Sequence, residues 1–127
     1  MAMVSIRNRR HTWLAALTAA SLLAFSPVAF AHAFLQRATP AVGATVSAPA
    51  ALRLTFTERV EPRFSHVTLR TAAGAPVAIG APQAAAGGQQ LVVTLPRLPA
   101  GRYTVTWRVT SVDTHQTQGS FHFTVAP

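Results

Sequence analysis

The sequence predicts an all-β domain, a small sandwich or barrel with Greek-key connections. Apolar and polar residues alternate along several short segments, and clusters of Gly and Pro separate those segments. No stretch within residues 32–127 repeats its apolar residues with a helical period. These 96 residues are enough for one domain with a single core.

Residues 1–31 predict an export signal that is removed from the working protein. Three arginines between positions 7 and 10 precede an uncharged apolar stretch at 12–25, and the triplet that ends at Ala31 has the small-x-small pattern of a cleavage site. The apolar stretch is shorter than the roughly 20 residues that a membrane span needs. We therefore expect cleavage after Ala31 and a mature protein that comprises residues 32–127.

Other interpretations of this end stay open. Residues 1–31 could persist as an uncleaved anchor, and the arginine pair could direct the twin-arginine route rather than the favoured general secretory route. Ala31-His32-Ala33 is also small-x-small, so cleavage after Ala33 would remove His32 from the mature protein.

The clearest strand is predicted for residues 102–110. Its apolar residues alternate with polar ones and are expected to face the core, and they are Tyr103, Val105, Trp107 and Val109. Four further segments show the strand pattern, at 51–58, 65–71, 90–95 and 120–125. The Ala- and Gly-rich residues 81–90 predict a mobile loop.

The composition restricts the chemistry of any site. The chain has no cysteine, and both of its methionines, Met1 and Met3, precede residue 32. Disulfides and sulfur ligands are therefore excluded from the mature protein, and a metal site has to use nitrogen and oxygen. Eight arginines and three acidic residues follow position 31, a net charge of +5. Such a charge can suit nucleic acid or an anionic membrane surface, but the scattered arginines predict an ordinary solvated surface.

Asp113 and His115 are the first candidates for a metal site. They lie in residues 110–121, the predicted connection between the two strongest strands. In a nearly extended segment, residues two apart point to the same side, so the two side chains could converge on one ion. An Asp-x-His pair alone is a weak indication, because most such pairs belong to hydrophilic turns.

His32 strengthens this prediction if it is the first residue of the mature chain. A free N-terminal histidine offers its α-amine and its imidazole Nδ1, which together close a six-membered chelate ring on one ion. With Asp113 and His115 the donors are three nitrogens and one oxygen, a set that suits Cu(II) in a square or tetragonal arrangement. Zn(II) could bind the same atoms but prefers a tetrahedron. The remaining histidines, His66 and His122, are predicted to face solvent on strands, although His122 follows the ligand loop and could lie near it.

Two stretches resemble CopC-type periplasmic copper-binding proteins. One begins with the histidine after the signal and continues through LRLTFTERVEP, and the other is GRYTVTWRV followed by Asp-x-His. The resemblance covers essentially all of residues 32–127. It implies a cupredoxin-like or immunoglobulin-like β-sandwich that carries one Cu(II) per chain in the periplasm. It also implies that His32 with its amine, Asp113 and His115 bind the ion, and that Glu58 is an acid close to it.

Some members of that family carry a second, Cu(I) site built from a methionine-rich segment, and this chain has no methionine after Met3. The resemblance therefore implies a single-site Cu(II) protein that buffers, sequesters or delivers copper in homeostasis or resistance, without catalytic residues. It further implies an inner-membrane copper-import protein as a partner on a separate chain, and we expect a monomer. Two other functions stay open: an oxidase-type copper enzyme with an N-terminal histidine, and a metal-free interaction module.

Overall fold

The computed structural model describes residues 32–127, which fold into two packed β-sheets. The strands are β1 (Leu35–Thr39), β2 (Thr45–Val46), β3 (Ala51–Phe56), β4 (His66–Thr71), β5 (Pro76–Val77), β6 (Gln83–Ala85), β7 (Gln90–Thr94), β8 (Gly101–Thr110) and β9 (Gln116–Val125). The four-stranded sheet has the order β1-β3-β7-β6, and the five-stranded sheet has the order β2-β9-β8-β4-β5. Two short 3-10 turns lie at Pro62–Phe64 and Ala86–Gly88. The predicted all-β sandwich is confirmed.

The core lies between the sheets and follows the alternation of the sequence. The inward residues of β8 are all buried, as predicted: Tyr103, Val105, Trp107 and Val109. The rings of Trp107 and Phe56 in β3 meet edge to face, with their centroids 5.2 Å apart. Each large apolar side chain removed from water in this way contributes about 1.5–3 kcal/mol.

Trp107 stands directly opposite Gly119 in the pairing of β8 with β9. A Cβ atom at position 119 would lie 2.6 Å from Cζ2 of the indole, closer than real Cβ atoms approach. Glycine is therefore needed at this strand position because the ring occupies the space of a side chain.

Strand β9 begins at Gln116, four residues earlier than the predicted segment 120–125. The two long strands pair along their whole length, from Gly101 opposite Val125 to Thr110 opposite Gln116. The first residues of β9 are polar and lack the apolar alternation, which is why the sequence did not reveal them. The connection between β8 and β9 shrinks to the five residues 111–115.

The structure also corrects the mobile loop predicted for residues 81–90. It contains strand β6, which pairs with β7, and a 3-10 turn at Ala86–Gly88. Gly87 and Gly88 adopt φ values of 69° and 91°, a left-handed conformation that glycine tolerates. The Ala- and Gly-rich composition predicted mobility, whereas the pairing of β6 with β7 makes this segment part of the sheet.

One end of the sandwich collects the segments that carry the candidate ligands. The β8–β9 turn lies at this end, and residues 32–34 run past the end of β3 before they enter β1. The backbone N–H of Val112 donates to the carbonyl of Arg59 at 3.0 Å, which ties the turn to the segment after β3.

The described residues include no helix with the length and hydropathy to cross a membrane. The predicted export signal, residues 1–31, lies outside the described residues.

Candidate metal centre

Thr57 binds residues 32–34 to the end of β3; these are the first residues that the structure describes and are called the N-terminal segment below. The Thr57 hydroxyl donates to the carbonyl of His32 at 3.2 Å and accepts the N–H of Phe34 at 3.0 Å. The backbone N–H of Thr57 donates to the carbonyl of Phe34 at 2.9 Å. Thr57 therefore holds His32 at the end of the sandwich through hydrogen bonds to the backbone of residues 32 and 34.

A second threonine holds the same segment from the other sheet. Thr117 of β9 donates its hydroxyl to the carbonyl of Ala33 at 2.5 Å. Ala33 is 1% exposed, so this carbonyl belongs to a buried residue. The segment thus lies between the two sheets, with His32 at its start.

A tight turn positions Asp113 and His115. The N–H of Ser111 donates to the carbonyl of His115 at 2.8 Å, and the N–H of Thr114 donates to the carbonyl of Ser111 at 2.9 Å. Thr114 adopts a left-handed φ of 74°. The sequence predicted that Asp113 and His115 converge, and they do, but the assumed extended segment is wrong, because a closed turn brings them together.

Two side chains of its own turn lie against the Asp113 carboxylate. The Ser111 hydroxyl donates to Oδ1, and Nδ1 of His115 lies 3.3 Å from Oδ2. The hydrogen bond from Ser111 is the main cause that lowers the pKa of Asp113 below its ordinary value, and His115 adds to the effect. Both side chains of the Asp113–His115 pair are 44% exposed, so the pair lies open at the edge of the protein.

The rings of His32 and His115 contact each other beside the Asp113–His115 pair. Their centroids are 5.1 Å apart in an edge-to-face arrangement, and the Nδ1 atoms of both rings are withdrawn from solvent. The ring of Phe34 also lies near His32, with 6.2 Å between the ring centroids.

These donors fit a small divalent cation. The 3.3 Å between His115 Nδ1 and Asp113 Oδ2 is close to the separation of two neighbouring ligands on an ion with bonds of about 2.0–2.2 Å. Among residues 32–127, no three His, Asp or Glu side chains already form a complete metal-binding group. The two close pairs share His115, so modest side-chain rotations would be needed to bring His32 and Asp113 onto one ion with it.

The remaining candidates are distributed as follows. Glu58 is half-buried and directly follows Thr57, and its place beside the metal stays a prediction. His66 and His122 are exposed on the outer face of the five-stranded sheet, as predicted. The suggestion that His122 lies near the ligand loop is wrong, because six residues of extended strand, roughly 20 Å, separate it from Gln116. Its Nδ1 instead lies 3.0 Å from the Thr104 hydroxyl.

Three hydroxyl residues at the candidate site were not predicted from the sequence, namely Thr57, Ser111 and Thr117. Thr57 lies in the predicted strand 51–58, and Ser111 and Thr117 lie in the predicted connection 110–121. Their sequence positions, next to Glu58 and in the connection that contains Asp113 and His115, could have indicated this role, because short hydroxyl side chains commonly bind nearby backbone and carboxylate groups.

Comparison with known proteins assigns the chain to a family. A model described as the CopC domain matches residues 35–126. The chain belongs to the CopC family. This CopC chain is 41% identical to copper resistance protein C of Xanthomonas campestris pv. juglandis over 86% of its length and 90% of the relative. It is 33% identical to copper resistance protein C of Escherichia coli over 87% of its length and 94% of that protein.

Solved structures of the family share the fold. CopC from Methylosinus trichosporium OB3b superposes with a TM-score of 0.71 at 33% identity, over 76% of this chain and 95% of that one. PcoC of Escherichia coli, described as a methionine-rich copper resistance protein, superposes with a TM-score of 0.70 at 33% identity, over 76% of this chain and 100% of that one. The present CopC chain differs in composition, since its two methionines are Met1 and Met3.

Proposed function

We propose that residues 32–127 are a periplasmic protein that binds one Cu(II) through His32, Asp113 and His115. It buffers, sequesters or delivers the ion in copper homeostasis or resistance. The free α-amine of His32 is the fourth donor, and it forms when the export signal is cleaved after Ala31. Any membrane copper importer that receives the ion is a separate chain, and the protein acts as a monomer.

The contact between His32 and His115 carries this proposal. The chain brings two histidines from distant parts of the sequence to 5.1 Å, next to a carboxylate 3.3 Å from one of them. Nitrogen and oxygen donors without sulfur favour Cu(II) over Cu(I). The similarity to copper resistance proteins supports copper as the cargo.

Glu58 is proposed to act through its charge. It follows Thr57, which binds the carbonyl of His32, and a carboxylate near a divalent cation is electrostatically favourable. Glu58→Gln should therefore weaken Cu(II) binding less than the loss of a direct ligand does.

The decisive experiment removes the α-amine alone. Residues 32–127 contain no lysine, so acetylation with an amine-selective reagent modifies only the N-terminus. The acetylated protein keeps both imidazoles and the Asp113 carboxylate but loses the chelate ring of His32. We expect its Cu(II) affinity, measured by competition with a chromogenic chelator, to fall at least about tenfold. Equal affinities before and after acetylation would remove the amine from the ligand set.

Two results would favour the other functions. The oxidase alternative corresponds to copper enzymes that cleave polysaccharides and need a flat substrate-binding face. Trp107 and Tyr103 are 7% and 4% exposed, so neither can form such a face. Release of hydrogen peroxide from the copper-loaded protein with a reductant would nevertheless favour an oxidase. A melting temperature that does not change with Cu(II) would favour a metal-free module, because an ion that binds only the folded form has to stabilise it.

A further inference from the structure

We infer that Thr57 and Thr117 are positioning residues that hold the N-terminal segment in its copper-binding position before the ion arrives. The inference rests on the proposed copper site and concerns the hydrogen bonds that order its first ligand.

Thr57 fixes the segment along one side. Its hydroxyl accepts from the Phe34 N–H and donates to the His32 carbonyl, and its own N–H donates to the Phe34 carbonyl. The three bonds span His32 and Phe34, so they define both the direction and the register of the segment.

Thr117 fixes the segment from the opposite sheet. Its hydroxyl donates to the carbonyl of Ala33, which lies between the two residues that Thr57 holds. The burial of Ala33 leaves this carbonyl away from water, where an unpaired acceptor is costly. The two threonines therefore hold three consecutive residues from both sheets of the sandwich.

This arrangement uses only the backbone of residues 32–34, so the imidazole of His32 can turn toward His115. The first residues of a domain are usually poorly ordered unless they are tied down, and ordering them on binding costs conformational entropy. Because the threonines order them in the metal-free protein, that cost does not reduce the affinity for copper.

The test uses variants that remove a hydroxyl while preserving side-chain shape. Thr57→Val and Thr117→Val are made singly and together in the chain that starts at His32. Thr57→Ser and Thr117→Ser keep the hydroxyls and serve as the rescue. Thr106→Val, exposed on the outer face of β8, is the matched control.

Two measurements are made on each variant. Amide hydrogen exchange at Phe34 is followed without metal, and Cu(II) affinity is measured by competition. We expect the Phe34 amide of the parent protein to be protected and to exchange at least about tenfold faster in Thr57→Val. Copper affinity should fall about threefold to tenfold for each lost hydroxyl, and the serine variants and Thr106→Val should behave like the parent. The paramagnetic resonance spectrum of bound Cu(II) should stay the same in all of them, because the ligands are unchanged.

Three results would overturn the inference. They are exchange of the parent Phe34 amide at the unfolded rate, unchanged copper affinity in the double valine variant, and an altered resonance spectrum that makes a threonine a ligand. If the parent protein binds no copper, the proposed function fails, and protection at Phe34 still decides whether the threonines hold the segment.

Discussion

At the scale of single residues, His115 is the point on which the candidate site converges. Its Nδ1 lies 3.3 Å from the Asp113 carboxylate, and its ring lies 5.1 Å from that of His32. The two contacts come from different parts of the fold, the β8–β9 turn and residues 32–34. His115 therefore contacts both the turn that carries Asp113 and the segment that carries His32.

The histidines provide a direct comparison. His32→Ala keeps the α-amine but loses the chelate ring and one imidazole, so Cu(II) affinity should fall by about 100-fold or more. His66→Ala removes an exposed imidazole from the outer face of β4 and should change the affinity by less than about twofold. Competition titrations of both variants check this. Equal effects would contradict the assignment of the site.

The pH dependence follows from which donors carry protons. The hydrogen bond from Ser111 lowers the pKa of Asp113 in the folded protein. The ionised Asp113 therefore stabilises the fold above its unfolded pKa of about 3.9, and this stabilisation is lost only as the pH falls through the lower folded pKa. Imidazole and α-amine groups titrate near 6.5 and 8 in peptides and have to be deprotonated to bind metal. We expect Cu(II) affinity to fall steeply from about pH 7 to 5 with the protein still folded. Titrations at several pH values that give a constant affinity would refute this.

At the scale of elements, the sequence predicted the strands in which apolar and polar residues alternate. Strands β3, β4, β7 and β8 have apolar residues at every second position, and their predicted segments agree with the structure to within two residues. Strands β1, β2, β5 and β6 were not predicted, because they are short and their pairing depends on neighbours distant in sequence. Contacts between segments distant in sequence also limited the prediction of the candidate site. Residue types indicated His32, Asp113 and His115, whereas the sequence positions of Thr57 and Thr117 could not show that both threonines bind the backbone of residues 32–34 from opposite sheets.

The pairing of β8 with β9 gives a stability prediction. Ala in place of Gly in a strand interior would ordinarily be favourable, but at position 119 the added Cβ meets the Trp107 ring at 2.6 Å. We expect Gly119→Ala to destabilise the fold by about 1–3 kcal/mol because the ring or the strand has to shift. Chemical denaturation monitored by the fluorescence of Trp107 measures this. Ser120→Ala, the next residue and exposed, is the control and should change stability by less than about 0.5 kcal/mol.

At the scale of the whole molecule, the sandwich gathers its rare acidic residues at one end. The chain has three in all, Glu58, Glu61 and Asp113. Glu61 donates its N–H to the carbonyl of Thr110 at the end of β8, and Asp113 lies in the turn that follows. The segment after β3 and the β8–β9 turn thus carry all three acidic residues of the chain, together with Arg59 and Arg63.

In the proposed function, the working protein begins at His32 and binds one Cu(II) with that residue. The most direct test is the intact mass of the protein exported by its native route, measured with and without one equivalent of Cu(II) under non-denaturing conditions. We expect a chain that starts at His32 and gains one copper ion. A chain that starts at Phe34 or retains Met1, or one that begins at His32 and gains no copper, would contradict it.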